Sequence, residues 1–228
     1  LAMGLSVLLF AGLAGAQSQA PALQACDTPA HFQVLQPAPP VAPTWPAQAY
    51  WLDRSRLQWP QIADAGVFKL YFSANGQLRA VIGEGVAGAD GAVNLAVATE
   101  PLPSALAQRF KFLKPGVLVR LRAEDQAQVP QLLRRQVLLV REDAQGRVLS
   151  ASALQHPGAL DDLYAAAQSV ADLGVVAARA NHATQFKLWA PTAQNVSVCI
   201  YPTSTGSAQS VQALAWDAAT GVWQTRLS

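Results

Sequence analysis

Two adjacent aspartates, Asp161 and Asp162, are of the residue type that acts as acid and base or binds a metal ion. Neighbouring side chains of a helix point in different directions, and no further acidic cluster supports this pair. Both follow the start of a short helix predicted over 159–167, where a carboxylate stabilises the positive end of the helix dipole. We therefore predict that they cap this helix, and we assign no catalytic residue and no metal ligand to the chain.

Three histidines, His31, His156 and His182, are candidates for the base of a Ser-His-Asp triad. The sequence contains no G-x-S-x-G elbow to hold the nucleophile of such a triad. His31 lies in a proline-rich stretch, His156 precedes a proline, and His182 lies in a polar turn. We expect all three to be solvated rather than catalytic.

Four glycines lie close together between residues 83 and 91, which invites comparison with a phosphate-binding loop. Such a loop follows a strand and opens a helix, and the Walker type also needs a Lys followed by Ser or Thr. No lysine follows here, and 93–97 has the pattern of another strand. We predict a flexible loop between strands.

Cys26 and Cys199 form no C-x-x-C pair of the kind that binds zinc or performs redox chemistry. Both are compatible with an oxidising compartment. A disulfide between them would join two domains, so we expect two free or separately buried thiols. Lipid attachment at Cys26 is an alternative.

Trp216 and Trp223 flank the turn at 217–221 and are the candidate carbohydrate-binding residues. The planar apolar face of an indole matches the CH-rich face of a glucose ring. Burial in the core of a small sandwich is the other interpretation of this pair.

The composition favours a folded protein, because 51% of the 228 residues are hydrophobic and only 13% are charged. A net charge of +2 without a basic stripe argues against nucleic acid as a partner. Residues 1–16 are apolar and end in Ala-Gly-Ala, which predicts a signal peptide whose own start lies upstream. Residues 17–48 are rich in proline and predict a semi-rigid linker.

Short alternating runs after residue 48 predict an all-β chain with short helical insertions, in an immunoglobulin-like β-sandwich. Asn75-Gly76 predicts a hairpin between 67–73 and 77–82, because both residues tolerate a positive φ. A second hairpin is predicted from 136–141 and 147–154. Ser104 is the predicted N-cap of a short helix.

Residues 186–201, FKLWAPTAQNVSVCIY, contain two period-two strand patterns separated by Pro191. They predict an antiparallel hairpin or the corner of a sandwich. The string closely resembles the opening of the family 48 carbohydrate-binding module of bacterial pullulanases. In that family the module often packs against the catalytic barrel, so the resemblance implies a structural role for this segment.

Two further strings, AYWLDRSRLQWP at 49–60 and VFKLYFSANG at 67–76, resemble the N2 domain that precedes this module in pullulanases and limit dextrinases. LDDLYAAA at 160–167 resembles the junction between the two. The resemblance implies an N2-like domain over 49–170 and a partial family 48 module over 171–228. It also makes lipidation of Cys26 plausible, since some pullulanases are lipoproteins.

The resemblance implies a non-catalytic, accessory and glucan-binding N-terminal region of a secreted, periplasmic or cell-surface enzyme that hydrolyses α-1,6-glucosidic bonds. The partners would be an α-glucan, either pullulan or limit dextrin, and a family 13 catalytic barrel further along the chain, whose retaining mechanism uses two carboxylates. No cofactor is implied for this region, and a calcium ion is allowed in the catalytic domain. A free-standing exported β-sandwich that serves binding or adhesion is the alternative.

Overall fold

The computed structural model describes residues 23–28, 44–63, 65–178 and 183–227. The predicted signal peptide, most of the predicted linker, His31 and His182 lie outside these ranges. Among the described residues, no helix combines the length and the apolar character that crossing a membrane would require.

The first sheet curls into a closed barrel in the order β1-β2-β5-β4-β3-β6-β7. All neighbours are antiparallel except β1 and β7, which pair in parallel and close the sheet. The predicted immunoglobulin-like sandwich is therefore wrong for this part, because closure leaves the sheet with no edge strand. The strands are β1 Ala47–Trp51, β2 Arg56–Pro60, β3 Val67–Ser73, β4 Gly91–Val97, β5 Gly116–Leu121, β6 Gln136–Glu142 and β7 Val148–Gln155.

The hydroxyl of Ser152 stabilises the seam of the barrel, which is the parallel pairing of β1 and β7. The register shifts between Ala47 and Ala49, and the Ser152 Oγ accepts hydrogen bonds at 2.9 Å from the backbone N–H groups of both Gln48 and Ala49. Ser152 is fully buried. The side chain thus compensates for ladder hydrogen bonds that the irregular register disturbs.

The barrel interior is filled by the inward residues of the alternating strands, with Trp51, Trp59 and Phe68 among the largest buried side chains. This alternation is the period-two pattern of the sequence. The hairpin predicted from 136–141 and 147–154 is confirmed as β6 and β7, with the turn residue Gly146 at φ +76°.

The hairpin predicted at Asn75-Gly76 is wrong beyond its turn. Gly76 has the expected φ of +70°, but β3 pairs with β4 and β6, and 77–82 forms no strand with it. Instead, 77–90 crosses the outside of the barrel, where Gly83 N–H donates to Val148 O and Val148 N–H donates to Glu84 O. Apolar residues pack beneath this loop as a second cluster of Leu78, Ala80, Leu138, Val140, Val148 and Ala151.

Short helices cover the barrel and lead to the C-terminal sheets: α1 Ser104–Arg109, α2 Val129–Leu132 and α3 Pro157–Leu163, with 3-10 helices at Ala123–Gln128 and Ala165–Ser169. Pro103, rather than the predicted Ser104, occupies the N-cap of α1. Because α3 already begins at Pro157, its first turn holds no acidic residue. The prediction that Asp161 and Asp162 cap this helix is therefore wrong.

The C-terminal residues form a four-stranded sheet in the order β12-β13-β9-β8 and a separate pair, β10-β11. Since β9 and β10 belong to different sheets, 186–201 forms the predicted corner and not the hairpin. The strands are β8 Gly174–Ala178, β9 Ala183–Trp189, β10 Ser197–Ile200, β11 Ser210–Ala213, β12 Ala215–Asp217 and β13 Val222–Leu227.

Candidate functional site

Trp216 and Trp223 meet where the C-terminal sheet faces the barrel. They are direct partners across β12 and β13, and their ring centroids lie 5.1 Å apart. Trp223 is only 5% exposed, and its indole N–H donates to the backbone oxygen of Ala190 at 3.0 Å. Trp216 is half-buried and meets the ring of Tyr164 edge-on at 6.0 Å. Sugar binding by the two tryptophans stays a prediction, while the geometry gives them a packing role.

Arg134, which follows α2 on the barrel, covers this tryptophan pair. Its guanidinium carbon lies 5.0 Å from the ring centroid of Trp216 and 5.3 Å from that of Trp223. Its Nε donates to Ala193 O at 2.8 Å, and its Nη2 donates to Gln194 O at 2.5 Å. Burial lowers the pKa of Arg134 from its ordinary value. One barrel side chain thereby binds both the turn after Pro191 and the strands β12 and β13.

A cleft opens beside this contact, between α3, the 3-10 helix that follows it, and the end of β9. Its volume is about 370 Å³. Trp189 is 39% exposed and donates its indole N–H to Thr220 O at 3.0 Å. We call this space the Trp189 cleft; its lining is Asp161, Tyr164, Ala165, Ala167, Gln168, Leu173 and Trp189.

Asp161 makes an ion pair with Arg109 at the end of α1, and Asp162 makes one with Arg54 in the turn between β1 and β2. Asp162 Oδ2 accepts from both the backbone N–H and the Nε of Arg54 at 2.9 Å, and Asp161 pairs with Arg109. The side-chain hydrogen bond from Arg54 lowers the pKa of Asp162. Within the described ranges, no group of three or more His, Cys, Asp or Glu side chains is arranged to hold a metal ion. The pair therefore ties α3 to the barrel.

His156 is not solvated, contrary to the prediction. Its ring lies 6.1 Å from that of the buried Trp51, and burial lowers the pKa of His156 from 6.5 to about 4. Its Nε2 is buried and has no hydrogen-bond partner among the described residues. His156 is thus a neutral packing residue near pH 7.

Cys26 and Cys199 form a disulfide with a Cα–Cα distance of 5.8 Å, so the expectation of two free thiols is wrong. The 3-10 helix Leu23–Asp27 lies against β11. Tyr201 Oη donates to Cys26 O at 2.8 Å, and the Asp27 carboxylate accepts from Ala208 N–H. Residues 23–28 are therefore fastened to the C-terminal part, and the Cys26 sulfur in this state has no thiol for lipid attachment.

Three residues of this junction were not among the predicted site residues: Arg134, Tyr164 and Trp189. Arg134 reaches residues 59 and 60 positions away, and no local pattern indicates such a contact. Trp189 lies at the end of β9 next to Leu188, and both side chains are exposed; the alternating pattern of the sequence does not indicate this.

The chain is similar to known proteins over most of its length. The family model of the pullulanase N2 domain matches residues 46–162, just over half of the chain. A pullulanase of Klebsiella pneumoniae is 32% identical over 177 residues, which are 78% of this chain and 15% of that protein. The chloroplastic pullulanase 1 of Arabidopsis thaliana is 28% identical over 180 residues, 78% of this chain and 18% of that protein.

The solved structure of apo pullulanase from Klebsiella pneumoniae matches with a TM-score of 0.66 and 27% identity. The match covers 80% of this chain and 19% of the pullulanase chain. The pullulanase of Klebsiella oxytoca has a TM-score of 0.64, also at 27% identity, covering 80% of this chain and 16% of its own. The chain thus spans less than a fifth of each of these relatives. It belongs to the pullulanase N2 domain family.

Proposed function

We propose that this chain is the non-catalytic N-terminal region of an exported debranching enzyme that hydrolyses α-1,6-glucosidic bonds in pullulan or limit dextrin. The observation that carries the proposal is the 177-residue alignment with a pullulanase, which is longer than the 117 residues that the N2 family model matches. The similarity therefore extends beyond the barrel into the flanking residues. A separate catalytic domain in the same polypeptide, the TIM barrel of glycoside hydrolase family 13, would cleave the bond with two carboxylates that flank it.

The accessory role follows from the way the barrel holds the C-terminal sheets. Arg134 binds two backbone oxygens after Pro191 and lies over two tryptophans, while the aspartates of α3 bind arginines of α1 and of the turn between β1 and β2. The Arg134 contacts hold the C-terminal sheets against the barrel, and the ion pairs of α3 hold the segment that leads to these sheets. A fixed orientation would let the region serve as a rigid packing surface for the catalytic part.

Export is supported by the disulfide, because such bonds persist in oxidising compartments and are rare in the cytosol. The predicted signal peptide points the same way. We infer that the region folds in the periplasm, at the cell surface or outside the cell.

Reading the gene beyond the codon for Ser228 tests the proposal. We expect a family 13 barrel, pullulan hydrolysis by the longer protein, and no release of reducing ends by the 228-residue chain alone. A downstream sequence without such a barrel would favour the free-standing binding or adhesion module. Hydrolysis of pullulan by the short chain would contradict the non-catalytic assignment.

A further inference from the structure

The Trp189 cleft combines a partly exposed aromatic ring with polar side chains. Trp189 is a large aromatic that remains 39% exposed although neighbouring Trp223 is buried. Its indole N–H is already satisfied by Thr220 O at 3.0 Å, so the ring is held in place and needs no further polar partner. A fixed, partly exposed indole is a stacking surface that loses little conformational entropy when a ligand binds.

Polar side chains lie along the same cleft. Gln168 is exposed, and its amide can both donate to and accept from hydroxyl groups. The Asp161 side chain is 53% exposed and its partner Arg109 is 45% exposed, so this ion pair borders the cleft in contact with solvent. A pyranose presents an apolar CH face and a rim of hydroxyls, and this lining offers a counterpart to each.

The size of the cleft limits the ligand. A volume of about 370 Å³ lies at the lower end of the range for small-molecule sites. The cleft is also bordered by Tyr164, whose ring contacts Trp216. The tryptophan pair under Arg134 therefore supports the wall of the cleft from behind.

We propose that the Trp189 cleft binds a short linear α-glucan, with a glucose ring stacked on Trp189 and its hydroxyls hydrogen-bonded to Gln168 and Asp161. The choice of an α-glucan rests on the proposed function, whereas the choice of a sugar rests on the cleft itself. The site differs from the tryptophan pair of the sequence prediction, which is largely covered.

Titration calorimetry of the 228-residue chain with maltotriose tests this. We expect saturable binding that Trp189→Ala weakens by about tenfold or more and Gln168→Ala by about threefold, since a stacking contact and one hydrogen bond are lost respectively. Phe112→Ala is the matched control, because Phe112 is an exposed aromatic of a different cleft. It should leave the affinity unchanged.

Three results would overturn the proposal: no saturable binding of maltotriose to the wild-type chain, equal loss of affinity in Phe112→Ala and Trp189→Ala, or full affinity in Gln168→Ala together with Asp161→Asn. The last comparison decides the matter if Trp189→Ala fails to fold. Equal affinity for cellotriose, which is β-linked, would overturn the α-glucan assignment. These measurements are independent of pullulan hydrolysis by the longer protein, so either proposal can fail while the other stands.

Discussion

The guanidinium carbon of Arg134 lies over the indole of Trp216, 5.0 Å from the ring centroid, and this contact joins the barrel to the C-terminal sheet. The same side chain donates to the backbone oxygens of Ala193 and Gln194. Charge, fork geometry and ring contact thus converge on one residue. No other side chain type supplies all three.

Arg134→Ala should lower the free energy of unfolding by about 2 to 3 kcal/mol, since two hydrogen bonds from a charged donor and a cation–π contact are lost. Arg134→Lys keeps the charge but loses the fork, so we expect an intermediate loss. Urea denaturation followed by circular dichroism measures both. Arg135→Ala is the control, because Arg135 lies over the ring of Phe72 and away from the sheet contact; an equal loss there would contradict the role of Arg134.

The disulfide should contribute about 5 kcal/mol, because it closes a loop with a sequence separation of 173 residues. Cys26→Ser with Cys199→Ser should lower the urea midpoint by a corresponding amount. Reductant should do the same to the wild-type chain and nothing to the double variant. An unchanged midpoint in reduced wild-type protein would show that the bond adds no stability.

His156 should make the fold sensitive to acid. Its pKa is lowered to about 4 in the folded chain, so the unfolded chain binds more protons between pH 6.5 and 4, and stability falls as the pH falls through this window. Across this window the free energy of unfolding falls by about 3 kcal/mol. His156→Gln should flatten this part of the stability curve, as measured by urea denaturation from pH 7 to 4. Carboxylates titrate in both proteins, so the difference between the two curves isolates His156, and parallel curves would contradict the prediction.

The alternating strands were predictable because burial of one face imposes a period of two, and β2, β4 and β5 follow it. In β6 the residues Val137 to Val140 are buried in a row, because the loop 77–90 covers the outer face of this strand. Closure of the barrel was not, because β1 and β7 pair across about a hundred residues and no local pattern encodes that contact. The turn at Asn75-Gly76 formed as its chemistry requires, yet turn chemistry alone does not choose the partner strand.

The candidate site was predictable to the same extent. Trp216 and Trp223 flank a tight turn, so their pairing across β12 and β13 follows from local sequence. The other contacts of the site join residues more than fifty positions apart. They are the hydrogen bonds of Arg134, the disulfide, and the ion pairs of Asp161 and Asp162 with arginines. Such contacts depend on the tertiary fold and carry no signal in one sequence.

The seam of the barrel should depend on the Ser152 hydroxyl. Ser152→Ala leaves the buried backbone N–H of Ala49 without its acceptor, and an unsatisfied buried donor costs about 1 to 3 kcal/mol. The N–H of the exposed Gln48 keeps Pro46 O as an acceptor. We expect a loss of about 2 kcal/mol in urea denaturation and faster hydrogen exchange at the Ala49 amide. Ser150→Ala, two residues earlier in β7, is the matched control, because the buried Ser150 hydroxyl has no hydrogen-bond partner among the described residues. Its removal should leave stability unchanged or raise it slightly, since no hydrogen bond is broken. If Ser150→Ala destabilised the chain as much as Ser152→Ala, the seam hydrogen bonds would not be what distinguishes the two positions.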